Sequence, residues 1–282
     1  MNINEKLFDF IEKSPTAYHT VASVKERLIG EGYEELSIGK PWELVEGGKY
    51  FTVKNGSSII AFRNSGEGFM IVASHSDSPS FRVKRSEKIV GAYTRLDVEK
   101  YGGMIYYSWL DRPLSVAGRV LVKSESGIES RLVNIDRDIA VIPSVAIHMN
   151  RSVNDGFKFN PASDLLPLIS KDSSESLSLS LCSEIGVSKE DVISHDLFLY
   201  TRTRGTKIGI GEEFILAPRL DDLACAYASL EAFLNYDVKD STPVLAIFDN
   251  EEVGSETKQG AASTFLFDTL KRISKVDRES DF

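Results

Sequence analysis

Asp249-Asn250-Glu251-Glu252 places three carboxylates within four residues, directly after the apolar run Val244–Phe248. Like charges this close repel, so the run needs either full solvation or a cation to draw it together. Adjacent glutamates can divide the work if one binds the cation and the other takes a proton from an attacking water. A second stretch, Ser74-His75-Ser76-Asp77, follows the apolar run Phe69–Ala73. In extended backbone, residues i and i+2 point to the same side, so Asp77 can approach the second ring nitrogen of His75. A carboxylate there fixes the tautomer and makes the imidazole a better metal ligand. The third stretch, Arg219-Leu220-Asp221-Asp222, precedes a helical segment. One aspartate suits the helix N-terminus. Two exceed what a cap requires, which leaves one as a candidate ligand.

Each of these groups lies at the edge of an α/β element, and two directly follow apolar strands. Ligand sites of open α/β sheets gather beyond the carboxyl ends of the strands. Mixed histidine and carboxylate donors suit zinc, and a bridging aspartate suits two metals about 3.5–4 Å apart. The chemistry this favours is metal-assisted hydrolysis.

The elements that must position these groups can be read from periodicity. Leu7, Phe8 and Ile11 predict a helix over 4–13, and Ser14-Pro15 breaks it before a second helix that runs to about Leu28. Lys49–Lys54 and Ser57–Phe62, joined by Asn55-Gly56, predict a hairpin. The uncharged run Phe69–Ala73 predicts a strand covered on both faces. The middle of the chain alternates in shorter periods, at 118–123, 129–134, 139–148 and 197–201, while the Ser-rich stretch 171–180 reads as a loop. Helical texture returns at 223–236 and 259–273, on either side of the strand Val244–Phe248. The pattern predicts an α/β domain built from 1–85 and 214–282, interrupted by a β-rich insert over 86–213.

Composition sets the outer limits. The 282 residues are 42% hydrophobic and 27% charged, enough to bury a substantial core. A net charge of −9 argues against a nucleic-acid or polybasic membrane contact, each of which needs a basic surface. Cys182 and Cys225 lack CxxC spacing and read as reduced thiols. The N-terminal residues lack the basic and uninterrupted apolar regions of a signal peptide, and no window reaches the ~20 apolar residues of a membrane span. These features predict a cytoplasmic protein.

Seven stretches together resemble one family, the aspartyl aminopeptidases, in the family's order and across nearly the whole chain. They are SPTAYHTV, ASHSDSPSFRVK, EKYGGMIYYSWLDRPLSVAGRV, IPSVAIHMNRSVNDGFKFNP, HDLFLY, FILAPRLDDLACAYASL and IFDNEEVGSETKQGA. The resemblance implies a di-zinc exopeptidase that removes N-terminal, often acidic, residues from peptides. It implies a three-layer α/β catalytic domain with a mixed, largely parallel sheet, and makes the β-rich insert a dimerisation domain. His75 would ligate one zinc with Asp77 orienting it, Asp221 would bridge both metals, Glu252 would ligate the second, and Glu251 would be the general base. His148 would reach a neighbouring subunit's active site and help to hold the substrate; from its own surroundings it reads as a buried or capping histidine. The assembly implied is a homo-oligomer, a dodecamer built from dimers.

The resemblance also implies two further ligands, an aspartate and then a histidine, beyond the last matched stretch. The sequence stops at Phe282 before either. The expectation is therefore a catalytic domain lacking its C-terminal part, with each metal one ligand short and binding lost or partial. On that reading the chain is either a metallo-aminopeptidase impaired in this form or a non-catalytic assembly or peptide-binding subunit on the same scaffold.

Overall fold

The computed structural model describes residues 2–171, 176–236 and 240–274. They fall into two compact units, one formed by the chain up to Ser78 and from Gly205 onward, the other by Pro79–Arg204.

In the first unit, helix α1 (Ile3–Lys13) begins where the Asn2 side chain accepts the Glu5 amide, and it buries Leu7, Phe10 and Ile11. Helix α2 (Ala17–Gly30) follows the Ser14-Pro15 break and buries Val21, Val24 and Leu28. After the short strand β1 (Glu34–Glu35) come β2 (Lys49–Lys54) and β3 (Ser58–Arg63), which form the expected hairpin. Asn55 and Gly56 both take positive φ at its turn, which Asn and Gly tolerate best. Strand β4 (Phe69–His75) then leads into the histidine stretch.

Among the described residues the second unit is an antiparallel sheet with one α-helix. Its strands are β5 (Ser80–Val90), β6 (Tyr93–Tyr101), β7 (Leu114–Ser124), β8 (Gly127–Asn134) and β9 (Leu168–Ser170), followed by helix α3 (Leu177–Ile185) and strand β10 (Val192–Thr201). The order is β8-β7-β10-β5-β6-β9, and its core includes Phe81, Leu96, Val116, Val120, Leu197 and Leu199.

The chain returns to the first unit with a small hairpin, β11 (Thr206–Ile208) and β12 (Phe214–Leu216), then helix α4 (Leu220–Asn235), strand β13 (Thr242–Phe248) and helix α5 (Phe265–Ser274). Among the described residues the main sheet has the order β1-β2-β3-β13-β4. The outer pairs β1–β2 and β13–β4 are parallel, and β2–β3 and β3–β13 are antiparallel. Strand alternation builds two cores from one sheet. Phe51, Ile59, Ala61, Leu245 and Ile247 pack with α1, α2 and α4, while Ile60, Phe62, Val244 and Ala246 face the side that holds α5. No helix of the described residues is long and apolar enough to cross a membrane.

Several expectations change. Among the described residues, β13 has all seven of its residues buried, whereas β4 is the outermost strand of the sheet, with Met70 and Ile71 exposed. Both are uncharged runs, and position in the sheet, which composition does not encode, separates them. Residues 140–142 make only isolated bridges, so 139–148 is not a strand. Part of the Ser-rich stretch falls outside the described residues. From Leu177 it is helical, because Ser176 caps α3 by accepting the Leu179 amide. The last helix begins at Phe265 rather than 259, since Gly260 is packed against the Ser255 backbone in a turn.

Gly118 is among the glycines required by packing. A Cβ at Gly118 on β7 would lie 2.0 Å from the Asp196 carbonyl oxygen on β10. We predict that Gly118→Ala destabilises the protein by about 1–3 kcal/mol in denaturant unfolding. Gly39→Ala, where a Cβ meets nothing within 4 Å, should stay within about 0.5 kcal/mol of wild type.

Candidate metal centre

Four segments of the first unit bring their polar ends together. Parallel pairing of β4 with β13 aligns His75 with Phe248, so the two strands end side by side. The turns that follow them therefore emerge on the same edge of the sheet. Ser76 fastens this junction: its amide donates to the Phe248 carbonyl at 2.7 Å and its hydroxyl to the Ser57 carbonyl at 2.7 Å. Thr20 of α2 donates to the Ser76 carbonyl from the other side.

Asp77, only 4% exposed, is the centre of the arrangement. Its Oδ1 lies 3.2 Å from His75 Nδ1 and accepts the Glu251 amide at 3.3 Å, while Oδ2 accepts the Glu252 amide at 3.2 Å. With Nδ1 turned to Asp77, His75 directs Nε2 toward Asp221 Oδ1 at 3.3 Å, and toward Asp222 Oδ2 and Glu251 Oε2, each at 3.8 Å. His75, Asp221 and Asp222 each offer a ligand atom, and the three atoms lie within 4.8 Å of one another. One imidazole nitrogen with oxygen donors suits zinc, so these residues fit a metal of that kind. Glu252 shares the turn with Glu251 but is outside that three-residue group.

The aspartate pair divides its duties. Both residues have non-helical backbone angles at the start of α4. Asp221 is largely exposed, with a side-chain accessibility of 72%. Asp222 is mostly buried and accepts the backbone amide of His75 at 3.1 Å. Sequence spacing left open which aspartate would be structural; the hydrogen bond to His75 N gives Asp222 that part. His148 lies in the second unit on an exposed turn, so it is neither buried nor a cap. His19, another histidine near this region of the first unit, is held by Thr16 Oγ1 at 2.8 Å, and burial lowers its pKa to about 4, which keeps it neutral.

Sequence reasoning assigned no role to Asp249, and the structure places it behind Asp77. It is 4% exposed and accepts the Asn250 amide at 2.7 Å. Burial and the negative charge of Asp77 raise its pKa to about 6, against the opposing hydrogen bonds of Ser57, Asn250 and Gln259. A carboxylate directly after a fully apolar strand was the available signal. His75 has the opposite balance: burial lowers its pKa, but the hydrogen bond and charge of Asp77, with the charges of Asp222 and Glu251, raise it to about 9. A metal-free imidazole here carries a proton at neutral pH, and a bound cation would replace that proton.

The sequence matches a family profile, Aminopeptidase I zinc metalloprotease (M18), over residues 10–282. The chain belongs to the M18 family. It is 47% identical over 283 residues to a probable M18 family aminopeptidase 2 of Clostridium acetobutylicum, a match covering 95% of this chain and 65% of that protein. It is 37% identical to aspartyl aminopeptidase 1 of Schizosaccharomyces pombe, covering 96% of this chain and 65% of that one. Among solved structures, that of the Ape4 and Nbr1 complex superposes with a TM-score of 0.92 at 35% identity, covering 98% of this chain and 60% of that one. The mApe1 dodecamer of S. cerevisiae superposes with a TM-score of 0.84 at 30% identity, covering 97% and 66%. The M18 chain thus spans about two thirds of the length of these relatives.

Two raised pKa values have the same sign of consequence. A group whose folded pKa lies above its unfolded value stabilises most below the unfolded value, and that stability is lost as pH rises through the folded one. For Asp249 the window runs from 3.8 to about 6, and for His75 from 6.5 to about 9. In chelator-treated protein each should account for about 3 kcal/mol of lost stability across its window. Urea unfolding followed from pH 4 to 9.5 checks this: Asp249→Asn should flatten the lower segment and His75→Ala the upper.

Proposed function

We propose that this M18 protein is a zinc-dependent aminopeptidase that removes N-terminal, preferentially acidic, residues from peptides. The observation that carries this reading is His75 Nε2 facing Asp221 and Glu251 while its Nδ1 is held by Asp77. Family membership and the named aminopeptidase relatives support it.

In this reading His75, Asp221 and Glu252 would hold the metal, and Asp221 would serve both ions of a pair. Bound zinc would polarise the scissile carbonyl and lower the pKa of the attacking water. Glu251, whose Oε2 is 3.8 Å from His75 Nε2, takes the proton from that water and returns it to the leaving amine. Asp77 keeps Nδ1 engaged, so the lone pair of Nε2 stays on the metal side. Its hold on two successive amides keeps Glu251 and Glu252 on one rigid turn. His148, exposed in the second unit, would serve a neighbouring subunit's site in a homo-oligomer whose dimers assemble into a dodecamer. The solved mApe1 dodecamer supports that assembly. A cytoplasmic location accords with Cys182 and Cys225 both being free.

Elemental analysis and release of N-terminal aspartate from a chromogenic peptide test the proposal. Glu251→Gln should keep the metal and lose at least about 100-fold in kcat, the usual scale for removing a general base. His75→Ala should lose the metal itself. Turnover near wild type in Glu251→Gln would overturn the base assignment. Bound metal without turnover in this chain would favour a non-catalytic assembly or peptide-binding subunit, and absence of both would overturn the reading of this chain as an active enzyme.

A further inference from the structure

Glu251 and Glu252 follow a buried strand through Asp249 and then Asn250, whose polar groups are extensively engaged. Asn250 has φ 64°, in the left-handed region that asparagine tolerates better than most residues. Its amide donates to Asp249 Oδ1 at 2.7 Å, and its carbonyl accepts from Ser255 at 2.8 Å and Val253 at 3.3 Å. Its side-chain Oδ1 accepts the Thr257 hydroxyl at 2.7 Å and the Gln259 amide at 2.8 Å. Gln259 is itself tied back to the hairpin, since its carbonyl accepts Ser58 Oγ at 2.7 Å. The segment 255–259 therefore closes over the turn through the Asn250 side chain, while Asp77 holds the two glutamate amides from the strand side.

We propose that Asn250 is a positioning residue, whose side-chain oxygen locks the turn that aims Glu251 and Glu252 at His75 and Asp221. The left-handed backbone sets the direction in which the chain leaves β13, and the two hydrogen bonds to Oδ1 hold that direction. Without them the turn can swing about the Asp249–Asn250 junction, and the Glu251 and Glu252 amides part from Asp77 more often. The inference rests on the reading of Glu251 and Glu252 as site residues, yet the restraint it describes exists in the metal-free chain and can be measured there.

Two substitutions separate side chain from backbone. Asn250→Gly accepts the positive φ but removes Oδ1. Asn250→Asp keeps an acceptor for Thr257 and Gln259. In metal-free protein, hydrogen exchange of the Glu251 and Glu252 amides should accelerate about tenfold in Asn250→Gly and stay close to wild type in Asn250→Asp. The amides of Val244–Phe248 should be unchanged in both. Thr257→Val, which deletes one of the two donors, should give a smaller acceleration at the same two amides and serves if Asn250→Gly does not fold. With Co2+ added, Asn250→Gly should bind about tenfold more weakly than wild type and show an altered visible spectrum, and Asn250→Asp should restore both. Wild-type exchange at Glu251 and Glu252 in Asn250→Gly overturns the inference. So does acceleration that spreads through β13, the mark of general loosening. If wild type binds no Co2+, the metal reading fails while the exchange comparison still decides the role of Asn250.

Discussion

A single buried carboxylate joins the parts of this site that come from distant segments of the chain. Asp77 contacts the His75 ring, the Glu251 amide and the Glu252 amide, so it links the end of β4 to the turn after β13 across 174 residues of sequence. Three donors directed at one carboxylate offset the penalty of removing it from water. Without that carboxylate, two backbone amides at the buried edge of the sheet would lose their partner. The same contact sets which nitrogen of His75 faces the acidic residues. The ring nitrogen that His75 turns toward the acidic residues and the placement of the proposed base both follow from where Asp77 sits.

The scaffold exists to bring Asp77 within reach. β4 and β13 are parallel neighbours in register, which puts both carboxyl ends on one edge. Ser76 and Ser58 then bind the hairpin, the histidine stretch and the acidic turn into one polar layer beneath the site. Apolar residues on both sheet faces anchor that layer, with α4 on one side and α5 on the other. The acidic surplus has a cost in the absence of a cation. It appears as a histidine that retains a proton, and after burial it adds to the resistance of Asp249 to losing one.

Much of this was legible in local sequence. The Asn-Gly hairpin, the Ser-Pro break between α1 and α2, and the buried run of β13 depend on interactions within a few residues, which composition and period report well. His75 with Asp77 was legible for the same reason, because i and i+2 share a side in extended chain. Asp249 and Asn250 were visible as residues but not as parts. Their roles come from Ser57, Ser58, Thr257 and Gln259, which reach them through a strand pairing or a returning loop. Likewise, no local signal separated β4, outermost among the described strands, from the fully buried β13.

The sequence by itself determined the family, the donor types and the segments that carry them, because residue chemistry and short-range spacing are written directly in the chain. The tertiary structure alone decided which donors converge, which aspartate of the Asp221-Asp222 pair is pinned by His75 N and which is open to solvent. It also decided that Asp249 is buried against Asp77 and that Asn250 closes the turn. Those outcomes depend on strand order and register, and a parallel pairing between β4 and β13 is a long-range choice that no window of sequence contains.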